Sequence, residues 1–226
     1  MTSVSNLTAN ETVEAISTYI DSISTGGTIN ANKTLDIGRI DQIIGNLNGS
    51  NDITRSSTSS FVMIQEINPN ASQIALGAAS GDDGDQIVYN NSANSALSSQ
   101  VSAAVVVNPN SARALRSLSI LIMKNPIAFG NVDTVTNATV ASPLVVVSRD
   151  PPNSPDFDIN LYFTPLSSIP SSNINEYSCA FYNVNASKWD RTGCSNAVYN
   201  GTENRYSCNC NHTTMFALTW SPATSS

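Results

Sequence analysis

The sequence predicts a mainly β chain: an antiparallel β-sandwich preceded by a small helical subdomain. Three observations carry this. Two amphipathic stretches open the chain; from Phe61 onward the pattern changes to short β-rich runs bounded by Gly, Pro, Asn or Asp; and all four cysteines lie between Cys179 and Cys210. At 226 residues and 23.9 kDa the chain is long enough for one large domain or two closely packed subdomains, each with a buried core. The expected division is 1–58 for the helical part and 59–226 for the sandwich.

The first helix is expected over residues 9–24, where Val13, Ile16, Ile20 and Ile23 recur at three- and four-residue steps, with Thr8 and Glu11 in capping-box positions. Gly26 and Gly27 end it. A second helical pattern runs from about Thr34 to Leu47, with Ile37, Ile40, Ile44 and Leu47 on one stripe. These stripes are read as packing against the domain that follows. Residues 55–60, rich in Ser and Thr, are expected to connect the two architectures. The β-rich runs are FVMIQEI, SQIALGAA, DQIVYN, SQVSAAVVVN, LSILIMKN, TVASPLVVVSR and FDINLYFTPL, with a helical turn or two expected between Asn110 and Ser117. In the last run Phe157, Ile159, Leu161 and Phe163 alternate with more polar residues, so one face is buried.

With 17 acidic against 10 basic residues, a net charge of −7 and a pI near 4.4, the chain offers no electrostatic footprint for nucleic acid or an anionic membrane surface. Four cysteines fit a disulfide framework in an oxidising compartment better than a zinc site, because only one close pair exists and its spacing is C-x-C. Asn-x-Ser/Thr acceptors at Asn6, Asn10, Asn32, Asn48, Asn70, Asn90, Asn137, Asn185, Asn200 and Asn211 point the same way, to the secretory pathway. Nothing like a signal peptide opens the chain and no apolar run has the length of a membrane span, so an extracellular reading requires a piece of a longer precursor. No cofactor is expected. The Gly81–Asp85 cluster reads as a turn between strands, lacking the ligand spacing of an EF-hand. Tyr162, Tyr177, Tyr182, Trp189 and Tyr206 read as core or disulfide-packing aromatics.

An extended Cys208–Cys210 pair projects both side chains to one face about 7 Å apart, too far for an undistorted bridge. Each must therefore pair with Cys179 or Cys194. Downstream stand the only histidine, His212, then Thr213, Thr214 and an apolar run. The ten-residue pattern C-x-C-x-H-x-T-x-F-A resembles the GPS proteolysis site of a GAIN domain, the self-cleaving extracellular module of adhesion G-protein-coupled receptors and polycystin-1-like proteins. The resemblance is specific over about 176–220 and covers Phe61 to Trp220 by pattern. It implies a GAIN subdomain B-like sandwich behind a reduced subdomain A-like helical part, with Cys179 paired to Cys208 and Cys194 to Cys210. Two departures stand out: Tyr182 occupies a position where the family usually has tryptophan, and Thr213 one where it usually has leucine.

The chemistry the resemblance implies is an N-to-O acyl shift. His212 serves as general base, the Thr214 hydroxyl attacks the Thr213 carbonyl, and water hydrolyses the resulting ester. An ordinary imidazole is largely neutral at pH 7, and attack on the preceding carbonyl is intramolecular. A tight turn between two paired strands is expected to hold the Thr213–Thr214 amide off its relaxed geometry. The resemblance further implies that the fragments stay associated through the C-terminal strand. Thr214, Met215, Phe216, Ala217 and Leu218 would stand where the family keeps a tethered agonist for a following transmembrane region. Alternation puts Thr214, Phe216, Leu218 and Trp220 on one face. The expected partners are thus the chain's own cleaved strand, the transmembrane part of the parent protein and an extracellular ligand of unknown kind. The alternative is a non-cleaving structural or adhesion module of a membrane receptor.

Overall fold

Thr8 and Glu11 close the capping box that starts the first helix. The Thr8 backbone N–H donates to Glu11 Oε2 at 2.8 Å, and the Glu11 N–H donates to Thr8 Oγ1 at 3.3 Å. The protein is seen in a computed structural model that describes residues 7–24, 37–47, 49, 51–71, 74–89, 97, 100–126, 138–152, 157–167 and 177–221. Outside the described residues lie Gly26, Gly27, the expected helix start at Thr34, and the acceptors Asn6, Asn32, Asn48, Asn90 and Asn137.

Helix α1 spans Ala9–Ser24 and α2 spans Ile37–Asn46. Val13, Ile16 and Ile20 of α1 and Ile40 and Ile44 of α2 are buried, so both apolar stripes face inward. The strands follow as β1 Ile53–Ser56, β2 Ser60–Glu66, β3 Ala75–Gly81, β4 Gly84–Tyr89 and β5 Val101–Val107. A short helix, α3 Pro109–Ala112, then precedes β6 Ser117–Met123, β7 Thr139–Val140, β8 Leu144–Asp150 and β9 Ile159–Phe163. The chain closes with β10 Tyr177–Asn183, β11 Lys188–Asp190, β12 Val198–Asn200, β13 Arg205–Cys210 and β14 Met215–Trp220. Strand β1 falls inside the stretch expected to be helical subdomain and connector; it pairs antiparallel with β2, from Ile53 opposite Ile64 to Ser56 opposite Phe61. The expected TVASPLVVVSR run divides into β7 and β8 around Pro143, which has no N–H for a ladder.

Among the described residues the strands form two antiparallel sheets. One runs β1-β2-β6-β8-β14-β10-β11, with β7 also on β14; the other runs β12-β13-β9-β5-β3-β4. Between them lies a core that includes Phe61, Ile120, Val145, Phe216 and Leu218 from the first sheet and Val105, Leu161 and Phe163 from the second. The first sheet has a second covered face. Val62, Ile64, Leu121, Val146, Met215 and Ala217 pack with Val13, Ile16, Ile40 and Ile44 of the helices. The molecule is therefore three-layered, helix on sheet on sheet. Burial on both faces accounts for the unbroken burial of β6 and of Met215 to Thr219 in β14. In β9, by contrast, burial alternates along Ile159–Phe163 as the sequence pattern predicts.

Candidate functional site

The site lies where the chain passes from one sheet to the other. Strand β13 pairs with β12 and β9 in the second sheet; β14 pairs with β10, β8 and β7 in the first. Both edges of each strand are thus taken, and β13 and β14 do not pair with each other. The turn between paired strands expected from the sequence is instead an inter-sheet crossing of four residues, Asn211 to Thr214.

Two disulfides brace this crossing. Cys179 of β10 is joined to Cys208 of β13 across the sandwich, with Cα atoms 5.8 Å apart. Cys194 is joined to Cys210, Cα atoms 4.2 Å apart, through an isolated antiparallel bridge beside β13. The second bond fixes the segment before β12 against the last residue ahead of the crossing. The Asn211 N–H donates to the Gly193 carbonyl at 3.0 Å, and the Ser195 N–H to the Asn209 carbonyl at 2.7 Å. The Thr214 carbonyl accepts from the Val147 N–H at 2.9 Å, which anchors the far end of the crossing to β8.

His212 turns its ring toward the inter-sheet core. Its centroid lies 4.6 Å from that of Phe181, edge to face, and 5.2 Å from that of Phe216. Nδ1 is 3.3 Å from Asn211 Oδ1, whereas Nε2 is buried and has no hydrogen-bond partner among the described residues. Burial holds the imidazole below its ordinary pKa, the Arg149 charge adds in the same direction, and Asp190 opposes them. The ring is accordingly mostly neutral at pH 7.

Thr214 faces the other way. Standing one residue ahead of β14, it does not continue the alternation expected with Phe216, Leu218 and Trp220: its hydroxyl donates to Asp41 Oδ2 of α2 at 3.5 Å, in the helical layer. His212 and the Thr214 hydroxyl share no hydrogen bond in this arrangement. Asp41 was not legible as a site residue. Burial raises its carboxyl to about 6, and the hydrogen bond from Thr214 works against that rise. Its one sequence signal is a carboxylate three residues before Ile44, at the margin of the apolar stripe of α2.

The residues after Thr214 are held on all sides. Phe216 and Leu218 enter the inter-sheet core, Trp220 packs against it, and Met215 and Ala217 enter the core under the helices. Strand β14 pairs with β10 from Phe216 opposite Phe181 to Trp220 opposite Tyr177. On its other side Val140, Val145 and Val146 stand opposite Thr219, Phe216 and Met215. Where β7 gives way to β8, the Leu218 N–H donates to the buried Ser142 Oγ at 2.9 Å and its carbonyl accepts from Ala141 at 2.8 Å.

The remaining sequence candidates have structural settings. Tyr177 and Tyr206 pack with centroids 4.9 Å apart, Tyr182 and Trp189 at 5.5 Å, and Tyr162 is half-buried beneath Arg205. In the acidic turn, Asp85 is engaged by Lys124 at 2.8 Å, by Ser80 at 2.5 Å and by Ser56, while Asp82 and Asp83 are exposed. Among the described residues no group of acidic, histidine or cysteine side chains has the arrangement of a metal site. The acceptors Asn10, Asn70, Asn185, Asn200 and Asn211 are exposed.

Residues 28–224 match the protein family described as GPS, GAIN subdomain B. The human adhesion G-protein coupled receptor G7 is 30% identical over 87 residues, which cover 38% of this chain and 11% of that receptor. A solved structure of the full extracellular region of zebrafish Gpr126/Adgrg6 aligns with a TM-score of 0.49 at 17% identity, over 91% of this chain and 32% of that one. The chain thus spans about a tenth of the receptor's length and about a third of the solved extracellular chain's.

Proposed function

The chain belongs to the GPS family, GAIN subdomain B, and from that premise we propose that it is the extracellular, juxtamembrane GAIN domain of an adhesion-type receptor and cleaves itself once, between Thr213 and Thr214. The helices stand for its reduced subdomain A, and the sandwich, which starts with β1 at Ile53 and not at residue 59, is its subdomain B. Catalysis is a single turnover in cis. The Thr214 oxygen attacks the Thr213 carbonyl through a five-membered ring, with His212 as the general base of the family pattern, and the ester formed is hydrolysed by water. The observation that supports this reading most directly is the state of His212: a neutral imidazole whose buried Nε2 has no hydrogen-bond partner among the described residues, two residues from the hydroxyl, on a crossing braced by the Cys194–Cys210 bond. Once cut, the two fragments stay together, because the new N-terminus begins an interior strand buried on both faces. Thr214 to Leu218 is the segment that acts as tethered agonist when it leaves the sandwich.

The test is expression through a secretory pathway followed by a denaturing gel and mass spectrometry of both bands. The expected result is a fragment ending at Thr213 and another beginning at Thr214, co-purifying under native conditions. Thr214→Ala and His212→Ala chains are expected to remain whole.

One observation favours a second reading, in which the domain serves as an uncut structural module: the Thr214 hydroxyl is bonded to Asp41 and not to His212. A single band of full mass after secretion, with both disulfides formed, would decide for that module.

A further inference from the structure

The two nitrogens of the His212 ring stand in different surroundings. Nε2 is buried with no hydrogen-bond partner among the described residues, while Nδ1 lies 3.3 Å from Oδ1 of the exposed Asn211. Asn211 is itself held from three directions. Its backbone N–H donates to the Gly193 carbonyl at 3.0 Å, the preceding Cys210 is tied to Cys194, and its side-chain oxygen lies against Gly193. That last contact also orients the amide. A Cβ built on Gly193 would stand 2.6 Å from Oδ1, so the hydrogen there points at Oδ1, an approach that an amide oxygen accepts and an –NH₂ group resists. With Oδ1 facing Nδ1, only a ring that carries its proton on Nδ1 makes a bond. The other tautomer sets two lone pairs against each other and leaves a buried N–H with no acceptor. Arg149 of β8 and Asp190 of β11 are the charged groups that act on the ring, in opposite directions, and neither is hydrogen-bonded to it. The choice of nitrogen therefore falls to Asn211.

We propose that Asn211 is a positioning residue of the self-cleavage: its side-chain carbonyl fixes the His212 tautomer that keeps the proton on Nδ1 and the lone pair on the buried Nε2. This rests on the self-cleaving reading and adds the device that aims its base. When the Thr214 hydroxyl turns from Asp41 to the ring, Nε2 accepts its proton as Oγ bonds to the Thr213 carbonyl carbon. The C–N bond then breaks, the Thr214 nitrogen keeps the bonding pair, and Nε2 hands it the proton. Amide becomes ester with no net gain or loss of protons. The proton on Nδ1 stays in place throughout, and Asn211 Oδ1 holds it more strongly while the ring is briefly an imidazolium. Asn211 touches neither reacting atom and acts through the ring alone. In the serine-protease triad, where a carboxylate plays this part, an amide that imposes the wrong tautomer costs about 10⁴-fold in rate. Here the amide presents its oxygen, and the tautomer is the one that leaves Nε2 basic.

Because His212 is the only histidine, ¹⁵N-labelled histidine gives a single pair of ring-nitrogen signals. Long-range ¹H–¹⁵N correlation on the secreted, uncut Thr214→Ala chain, at a pH where the ring is neutral, is expected to show Nδ1 protonated and Nε2 bare. Adding Asn211→Ala is expected to move much of the population to the Nε2-protonated tautomer, and Asn211→Asp, which keeps an oxygen there, to restore the first. Pulse-chase labelling with Thr214 intact reads the cut fraction on a denaturing gel. Asn211→Ala is expected to cut at least about tenfold more slowly, and Asn211→Asp at close to the wild-type rate. Both variants lose the glycan acceptor Asn211-His212-Thr213, so a slowing that they share traces to the glycan and overturns the role of the carbonyl. A ring protonated on Nε2 while Asn211 is present overturns it, as does a tautomer that Asn211→Ala leaves unchanged. A wild-type chain that is cut while Asn211→Ala is cut equally fast overturns it and leaves self-cleavage standing. A wild-type chain that stays whole overturns self-cleavage, and the spectrum still decides the tautomer. If Asn211→Ala does not fold, Asn211→Ser, whose hydroxyl ends one bond short of Oδ1, takes its place in both measurements.

Discussion

Gly193 lies against the His212 imidazole, so close that a Cβ at position 193 would stand 3.0 Å from Nδ1 and 2.6 Å from Asn211 Oδ1. Its φ of +81° is in the left-handed region that L side chains avoid. Glycine therefore does two things here: it lets the Cys194 segment turn, and it leaves the ring its place between Phe181 and Phe216. Gly193→Ala is expected to destabilise the domain by about 1–3 kcal/mol and to slow cleavage by displacing the imidazole. Thermal unfolding and the cut fraction together check this; wild-type values in both would contradict it.

The two disulfides are expected to differ in effect more than in stability. They close loops of 29 and 16 residues, and the entropy model puts each at about 3–4 kcal/mol, the longer slightly above the shorter. The Cys179–Cys208 bond joins the sheets, whereas Cys194–Cys210 ends directly at the crossing. Paired Cys→Ser substitutions are therefore expected to lower stability comparably by urea denaturation, with the larger loss of cleavage on removing Cys194–Cys210.

Retention of the C-terminal strand has a specific weak point in Ser142. Ser142→Ala leaves the Leu218 N–H buried and unsatisfied, at a cost of about 1–3 kcal/mol, while Phe216→Ala removes a ring from the inter-sheet core for about 3–5 kcal/mol. Both are expected to lower the urea concentration at which the cut fragments separate, Phe216→Ala by more. Size-exclusion chromatography in graded urea measures it.

Much of this was legible in the sequence because it depends on local pattern. The capping box of Thr8 and Glu11, the buried stripes through Val13, Ile16 and Ile20 and through Ile40, Ile44 and Leu47, and the alternation in β9 are short-range signals, and these appear as read. The C-x-C spacing excluded its own bridge by geometry alone. What was not legible depends on which strands are neighbours. No local signal says that β13 and β14 belong to different sheets, because a few residues joining two strands fit a hairpin as well as a crossing. Strand β1 was lost for the same reason: ITRS is unremarkable until Phe61 to Ile64 stand beside it. Asp41 meets Thr214 only through the packing of α2 on β8 and β6, a relationship of the fold and not of spacing.

Stability is expected to carry opposite pH signatures from the two sides of the crossing. Asp41 titrates near 6 when folded and near 3.8 when free, so the folded state binds more protons between these values and stability falls as pH rises from about 4 to 6. His212 is held below its ordinary 6.5, so the folded state binds fewer protons in that window and stability falls as pH drops through 6.5. Asp41→Asn removes the first contribution alone. Relative to wild type, its unfolding free energy is expected to increase from pH 4 to pH 6 and then level off, as urea titrations at several pH values would show.

The double covering of the central sheet sets how β14 yields to tension. With neighbours hydrogen-bonded along both edges and both faces covered from Met215 to Thr219, it has little freedom to fray one residue at a time. A tug along its axis loads its antiparallel ladders in shear, many bonds at once, and must strip Phe216 and Leu218 from one side as Met215 and Ala217 leave the other. The domain is built to ignore weak forces and to give way abruptly at a strong one.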